Sequence, residues 1–470
     1  MMWKFKEFGG RIAAKDDKGN TITYSNLAEL EELFRREAGR KLVFCVTRNC
    51  IEALAGYAAM INAGAVPVMI SDDMDKGLLE HLFEQYQPEY IWTASERIHE
   101  FSYEMVSFSF RGYSLIRTLW SSEESLYEEL ALLLTTSGST GSPKLVRQSY
   151  TNIRANTESI VEYLKLDDEE RPITTLPMNY TYGLSIINSH LYVGAAILVT
   201  DKTIMQKEFW EFFKQEKATS FGGVPYTYEM LKKLRIFKMD LPSLKTMTQA
   251  GGKLTTELHR EFAEFAAKTG RNFVVMYGQT EATARMAYLP AERSLEKAGS
   301  MGIAIPGGEF ILIDANGQEI QEEGRIGELV YIGKNVTLGY AQDRKDLAKG
   351  DERKGRLETG DMARRDSDGY YYIAGRKKRF LKIYGKRVNL DEIERLVKAG
   401  FDYSDCASTG TDDNLYLFVT DEKLAGQVRE YISAITKINL SAIHSKYVKE
   451  IPKNDSGKTL YVELEKLCDL

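Results

Sequence analysis

Two textures alternate along the chain. Short apolar runs of strand length are followed by stretches with an apolar residue every three or four places, the spacing of one helix face. Lys41 to Thr47, Ala65 to Ile70, Ala195 to Thr200, Ser220 to Gly223, Lys245 to Gln249 and Asn272 to Tyr277 are of the first kind. Asn26 to Ala38 (with Ser25 placed to cap it), Cys50 to Ala63, Lys76 to Tyr86, Tyr150 to Leu164, Leu184 to Tyr192 and Gln206 to Glu216 are of the second, as are the segments starting at Tyr226 and Thr255. Strands alternating with helices predict parallel sheets covered on both faces. From about Gly302 the chain turns to short strands, Phe310 to Ile313, Gly327 to Gly333 and Tyr370 to Ile373, broken by Asn-Gly and Asp-Gly turns. That spacing predicts a small β-barrel or curled sheet. Leu390 to Lys398 reads as a helix, and the remainder to Leu470 as a small separate α+β domain. Residues 97–124 carry no clear pattern. The expected class is α/β: two α/β subdomains and a small β-barrel in a large N-terminal domain, then a small α+β domain.

A chain of 470 residues is too long for one core. Its net charge of −6, with both signs interspersed, offers no electrostatic footprint for nucleic acid. Four cysteines at 45, 50, 406 and 468 match neither a zinc site nor a redox pair, so free thiols in a reducing compartment are expected. The N-terminus lacks the apolar core of a signal peptide. The most apolar region, Ala53 to Ile70, is broken by Asn62, Gly64 and Pro67. It suits a core helix and strand, so no membrane insertion is expected and the protein is placed in the cytoplasm.

Candidate chemistry begins with LLLTTSGSTGSPK, residues 132 to 144. An apolar strand ends in a tract of bare amides and hydroxyls: Thr135, Thr136, Ser137, Gly138, Ser139, Thr140 and Gly141, with Lys144 beyond Pro143. Such a tract is either a flexible connector or a phosphate cradle. The strand before it and the Pro-Lys after it favour the cradle. It is not a kinase-type P-loop, because Pro143 stands where that motif has its second Gly. Tyr277-Gly278-Gln279-Thr280-Glu281 follows the strand NFVVM, at a strand end of the kind where open α/β sheets bind ligands. There Tyr277 can stack on a flat ring, Thr280 can donate to phosphate, and Glu281 is an oxygen ligand of the type Mg²⁺ takes. Asp361, in Thr-Gly-Asp, suits paired ribose hydroxyls or an Asx-turn. Arg376 opens the basic run RKKRFLKIYGK, which by itself reads as a solvated face. PKNDSGK, ending at Lys458, reads by itself as a solvated tail.

Taken together, in this order and spacing, these five motifs resemble the acyl-adenylate-forming superfamily. That group contains acyl- and aryl-CoA synthetases, adenylation domains of nonribosomal peptide synthetases and firefly luciferase. The resemblance covers nearly the whole chain. It implies ATP-dependent activation of a carboxylic acid as acyl-AMP, with pyrophosphate released. The acyl group then passes to CoA or, alternatively, to the phosphopantetheine arm of a carrier protein. It implies ATP and Mg²⁺ as cofactors, residues 1–375 as the AMP-binding domain and residues 376–470 as a mobile lid with its hinge near Lys378. It assigns Lys458 to the bridge between carboxylate and α-phosphate and Glu281 to Mg²⁺. Gly251 and Gly252 fall on the adenine-side turn, Asp361 on ribose, and Arg376 on ribose or phosphate. The second half-reaction falls to the face around Lys382 and Gly385. Lys377, Lys378, Arg379, Lys382, Lys386 and Arg387 form a candidate surface for an anionic CoA or carrier. No carrier segment is recognised after Lys458, and the reading is of a stand-alone enzyme.

The segment LPMNYTYGLS resembles the superfamily's substrate segment. Amino-acid-activating members place an Asp there for the substrate ammonium; this chain has Asn179, Tyr180, Thr181 and Tyr182 instead. An unpaired ammonium would be disfavoured in such a pocket, so α-amino acids are discounted. Tyr180 replaces the His of many ligases. Gly278 stands where acetate-specific members have Trp. With Tyr182 and Gly183, these residues predict an aromatic-walled cavity for an aryl or medium-chain acid. Leu145 departs from the usual Gly.

Overall fold

The run LVFCVT at Leu42–Thr47 is buried at every position, which requires neighbouring strands on both edges and cover on both faces. The computed structural model of the chain provides both: Val66–Ser71 and Tyr90–Ala94 pair parallel to it on either side. The structure describes residues 2–122, 124–135, 144–383, 386–401, 405–411, 413–453 and 459–468, with backbone only at 378, 380, 382, 386 and 387. Two compact units emerge. Of the described residues, one comprises those up to 135, 144–309 and 331–357, the other 310–330 and those from 358 onward.

In the first unit an eight-stranded sheet runs in the order Gly339–Ala341, Leu145–Ser149, Leu130–Thr135, Val66–Ser71, Leu42–Thr47, Tyr90–Ala94, Tyr113–Arg117, Met105–Phe110. Its centre is parallel as expected, while both flanks are antiparallel. The patternless stretch 97–124 supplies two of the flanking strands. Packed on this sheet, the helix Ile51–Ala63 buries every residue but Glu52. A Cβ on Gly56 would lie 2.0 Å from Trp92 Nε1, so the glycine is what lets the indole approach. Leu145 opens a strand, buried and paired with Thr135 and Ala341. That gives a packing reason for its departure from glycine.

A five-stranded sheet follows: Ser220–Gly223, Thr246–Gln249 and Asn272–Tyr277 run parallel, then Ala287–Tyr288 and Ile303–Ala304 pair antiparallel. A third sheet joins Ile12–Asp16 to Ile197–Val199 in parallel, with Thr21–Thr23 beside it. Thr23, rather than Ser25, caps Tyr24–Ala38: its hydroxyl accepts from Asn26 N and its own N–H donates to Asn26 Oδ1, both at 3.2 Å. This reciprocal box needs an amide three places on, which Thr23 has and Ser25 lacks. Ser149 and Asn152 repeat the box at the start of Tyr150–Leu164.

The second unit carries strands of the four-stranded sheet Gly308–Ile313, Gly327–Gly333, Arg356–Arg365 and Tyr371–Arg376, where the small barrel was expected. A hairpin, Phe380–Ile383 with Lys386–Asn389, leads to the helix Leu390–Gly400. The three-stranded sheet Cys406–Thr411, Asn414–Val419, Ile443–Tyr447 packs with Leu390–Gly400 and Ala425–Thr436 around a core that includes Leu415, Leu417, Ile393 and Ile432. Among the described residues no helix is long and apolar enough to cross a membrane.

The cap at Ser149 also steadies a distant loop, because Asn152 Nδ2 donates to the carbonyls of Lys334 and Val336 at 2.8 Å each. Ser149→Ala should lower the unfolding free energy of this unit by about 1 kcal/mol. The reading is the midpoint of chemical denaturation, and an unmoved midpoint would show the cap to be idle.

Candidate functional site

The three parallel strands of the five-stranded sheet are in register, with Gly223 beside Gln249 and Gln249 beside Val275. Their following turns therefore leave the same end of the sheet, where ligands bind in open α/β folds. Gly251 takes φ +83° in the second of these turns, and a Cβ on it would sit 2.6 Å from the Tyr180 hydroxyl. Only glycine suits both conditions. Gln249 Nε2 donates to the Gly252 carbonyl at 2.9 Å, holding the turn.

The third turn is the most constrained. After Tyr277 the chain forms a 3-10 turn, Thr280–Ala282, and Thr283 then adopts φ +65°, ψ −61°. Ala284 N donates to Ala282 O at 2.7 Å. This is a γ-turn of the strained hand, centred on a β-branched residue. Its neighbours hold it there. The Thr283 hydroxyl donates to Asn335 O at 2.7 Å, and its carbonyl accepts from Gln148 Nε2 and from the Thr181 hydroxyl. Asn335 Nδ2 donates to Ala282 O at 3.0 Å and Arg285 O at 3.1 Å. The Glu281 carbonyl accepts from Thr337 N, Thr337 Oγ1 and Arg353 Nη1, at 3.0, 2.9 and 2.9 Å.

The Glu281 carboxylate is thus carried on a fixed backbone. Its Oε1 accepts from the Tyr340 hydroxyl at 2.6 Å. Burial, and secondarily the Glu281 charge, push the Tyr340 phenol up to about 12, so it remains a donor at neutral pH. Lys144 Nζ and the Arg353 guanidinium lie over the Tyr340 ring at 5.7 and 4.7 Å. Thr135 ends its strand opposite Leu145, and Leu145 faces Ala341. The exit of the Thr/Ser/Gly tract is therefore one residue along from the Tyr340 pairing. The tract itself, Thr136 to Gly141, lies outside the described residues. Tyr340, Arg353, Thr337 and Asn335 were not among the sequence candidates; their partners on this turn lie fifty or more positions away and no local motif marks them.

Beside this turn is an apolar cluster of Leu176, Tyr182, Val224, Ala250, Val274 and Met276, with Tyr163, Tyr180 and Tyr288 packed against it. Tyr180, expected to line an aromatic-walled cavity, packs at the edge of this cluster. Tyr182, however, is a core residue: its hydroxyl bonds Thr248 Oγ1 at 2.7 Å, and burial raises its phenol well above the usual range. Tyr180 is half-buried and pushed up to about 12 by burial alone. Gly183 and Gly278 owe their identity to backbone packing. A Cβ would lie 2.4 Å from Pro177 O at the former and 1.7 Å from Ala284 O at the latter. In this chain Gly278 therefore says nothing about pocket width.

In the second unit, Asp361 and Arg376 are register partners, with Arg376 Nε 3.2 Å from Asp361 Oδ1. Thr359 Oγ1 accepts from Asp361 N at 3.1 Å and donates to Leu329 O, which aims the buried carboxylate. Part of the expected basic surface is used internally. Arg379 donates to Asp391 Oδ1 and Glu394 Oε1 at 2.5 and 2.6 Å and lies 3.7 Å over the Tyr461 ring. Lys377 pairs with Glu328. Arg379 is withdrawn from solvent and is removed from the candidate CoA surface. Gly385 and Lys458 lie outside the described residues, as do the side chains of Lys378 and Lys382.

The AMP-binding enzyme family matches residues 2–341 of the sequence. The chain belongs to that family. The 4-coumarate–CoA ligase-like 2 protein of Arabidopsis thaliana is 28% identical over 356 residues, covering 72% of this chain and 62% of that one. The 2-succinylbenzoate–CoA ligase of Enterococcus faecalis is 25% identical over 454 residues, 96% of this chain and 86% of that one. O-succinylbenzoate Coenzyme A Synthetase from Bacillus subtilis, solved with AMP, shares the fold at a TM-score of 0.79 and 19% identity, over 98% and 97% of the two chains. The chain spans less than two thirds of the length of relatives such as the Arabidopsis protein.

The backbone contact at Gly278 is a direct test of the turn. Gly278→Ala forces a methyl against the Ala284 carbonyl and should destabilise the first unit by about 1–3 kcal/mol. Thermal melting measures it, and a variant that melts like the parent would contradict the packing described.

Proposed function

We propose that this AMP-binding enzyme is an AMP-forming carboxylate–CoA ligase. It joins a carboxylic acid to the α-phosphate of ATP, releases pyrophosphate, and passes the acyl group from AMP to the thiol of CoA. The observation that carries this reading is the anchored Thr280–Glu281 turn at the strand end, within a family match of residues 2–341. Relatives named as CoA ligases favour CoA over a carrier protein. The aromatic cluster at Tyr163, Tyr180 and Tyr288 favours an aryl or medium-chain acid. The proposed setting is the cytoplasm, in keeping with four free cysteines.

In the first step a carboxylate oxygen attacks the α-phosphorus and the bond to the bridging oxygen of pyrophosphate breaks. Two anions must meet, and unit charges at 4 Å repel by about 4 kcal/mol at an effective dielectric near 20. We assign the bridging cation to Lys458, with Lys144 and the tract before it holding the outer phosphates. Asp361 receives the ribose hydroxyls, Tyr277 and Gly251–Gly252 flank the base, and Arg376 steadies ribose or phosphate. Glu281 suits Mg²⁺, which takes one or two anchored carboxylates and completes its shell with phosphate and water. Magnesium, when bound, supplies charge screening at the phosphates. Tyr340 fixes the carboxylate by donating to Oε1 and leaves the negative charge in place. In the second step the thiolate attacks the acyl carbon and AMP leaves with the bonding pair. We place the domain boundary at 375/376 and the hinge at Lys378, so that turning the lid withdraws Lys458 and brings up Lys382 and Gly385.

The test is pyrophosphate release from ATP and Mg²⁺ over a panel of aryl and aliphatic acids, followed by thioester formation with free CoA or a holo-carrier protein. Lys458→Ala should lower adenylation by about 10²-fold or more while sparing thioester formation from supplied acyl adenylate. Equal loss of both half-reactions in a folded variant would remove the assignment.

Tyr340→Phe deletes one hydroxyl from the Glu281 support. It should raise the KM for magnesium–ATP roughly tenfold, the usual scale for an outer-shell ligand partner. Unchanged nucleotide kinetics would show that the contact does not position Glu281.

A further inference from the structure

Three arginines in the described residues are buried: Arg147, Arg285 and Arg344. Two have acidic partners. Arg147 pairs with Glu352, and Arg344 with Glu89 at 2.8 Å. Arg285, 3% exposed, has none among the described residues. Its Nε donates to Ser185 Oγ at 3.1 Å, and Nη1 to the Tyr163 hydroxyl at 2.9 Å and Met276 Sδ at 3.2 Å. The guanidinium carbon lies 5.2 Å from the centre of the Tyr182 ring. Nη2 makes no hydrogen bond among the described residues. His190, the ionisable neighbour on the helix Thr181–Val193, is held neutral: burial first, then the Arg285 charge, push it down to about 4.

A buried cation surrounded by neutral groups is costly, and folded proteins normally pair it. Hydroxyls and an aromatic face recover part of the lost hydration but leave the charge uncancelled. Its place in the fold is specific. Arg285 lies four residues beyond Glu281, across the strained turn at Thr283, and its carbonyl is pinned by Asn156 Nδ2 at 2.8 Å and Asn335 Nδ2 at 3.1 Å. Its side-chain partners Tyr163, Tyr182 and Met276 belong to the aromatic cluster proposed above to receive the acid.

We infer that Arg285 recognises a second carboxylate on the acid substrate, so that the enzyme activates a dicarboxylic acid at the end remote from this arginine. The inference rests on the ligase reading and adds the substrate class to it. The missing counter-charge is brought by the ligand, and the tyrosines line the apolar spacer between its two ends.

Matched acids test this on the full-length chain: hexanoate against adipate, benzoate against isophthalate, and 4-phenylbutanoate against 4-(2-carboxyphenyl)butanoate, with pyrophosphate release as the signal. In at least one pair the diacid should have a kcat/KM tenfold or more above its partner, mainly through KM. Arg285→Met and Arg285→Lys, each checked for folding by circular dichroism, follow. The diacid-to-monoacid ratio should fall at least tenfold in the Met variant and less in the Lys variant. Pyrophosphate release with monoacids equal to or better than diacids in every pair would overturn the inference and leave the ligase reading standing. An equal fall for both members of a pair in Arg285→Met would also overturn it, since that marks a structural role or contact with the reacting carboxylate. No release with any acid by the folded protein would remove the ligase reading, and this inference with it.

Discussion

The candidate site depends on one backbone constraint, the γ-turn at Thr283. A β-branched residue at positive φ costs on the order of 1–3 kcal/mol, and the surrounding structure has to supply it. Thr181 and Gln148 donate to its carbonyl, and Asn335 accepts from its hydroxyl. Because these residues come from one helix, one strand of the large sheet and a later loop, the turn ties those elements to a single geometry. Glu281 precedes the turn and Arg285 follows it. A relaxed turn would change the separation of these two opposite charges, so the strain positions them relative to each other.

The elements were legible where an apolar run or a one-sided apolar face was written locally. Lys76–Tyr86, Tyr150–Leu164, Ser220–Gly223 and Asn272–Tyr277 have the bounds that periodicity predicts. Residues 97–124 were not, because Met105–Phe110 is a flanking strand with its positions half-buried or exposed, which erases the apolar alternation. The N-cap at Thr23 was missed for a related reason: Ser25 stands beside an apolar helix start, but capping is decided by reciprocal bonding to Asn26.

For the site, contiguous motifs pointed to Glu281 and Asp361 because turn chemistry is written within a few residues, whereas Gly251 came from the family resemblance alone. Tyr340, Asn335 and Arg353 act on the Glu281 turn through tertiary contacts, and no spacing rule reaches over fifty residues. The basic run at Arg376 departs from its expected exposure at Arg379. Counted as charge it suggests an exposed cationic face, and Arg376 and Lys377 are exposed, yet Arg379 is packed against Asp391, Glu394 and the Tyr461 ring. Asp391 and Glu394 follow in the adjoining helix, so the compensating sign was in the sequence; what it lacked was the fold that turns the two together.

Specificity follows from how differently the two kinds of pocket wall discriminate. In the proposed acid pocket, apolar walls such as Tyr180, Tyr288 and Val274 would separate acids by shape, where a missing methylene is worth only about 10–200-fold. Gly278 adds nothing to that selection, since its missing side chain serves the Ala284 carbonyl. A buried polar group left unpaired by the wrong ligand discriminates by up to about 10⁴–10⁵. Arg285, ringed by Ser185, Tyr163, Met276 and Tyr182, is the group in this cluster with that capacity. An acid that fills the aromatic space but brings no second carboxylate leaves the Arg285 charge as uncancelled as it is in the empty protein. Such an acid gains contact area and nothing from the charge. On the diacid reading the selective step is electrostatic, and the tyrosines set only the length and flatness of what lies between the two ends.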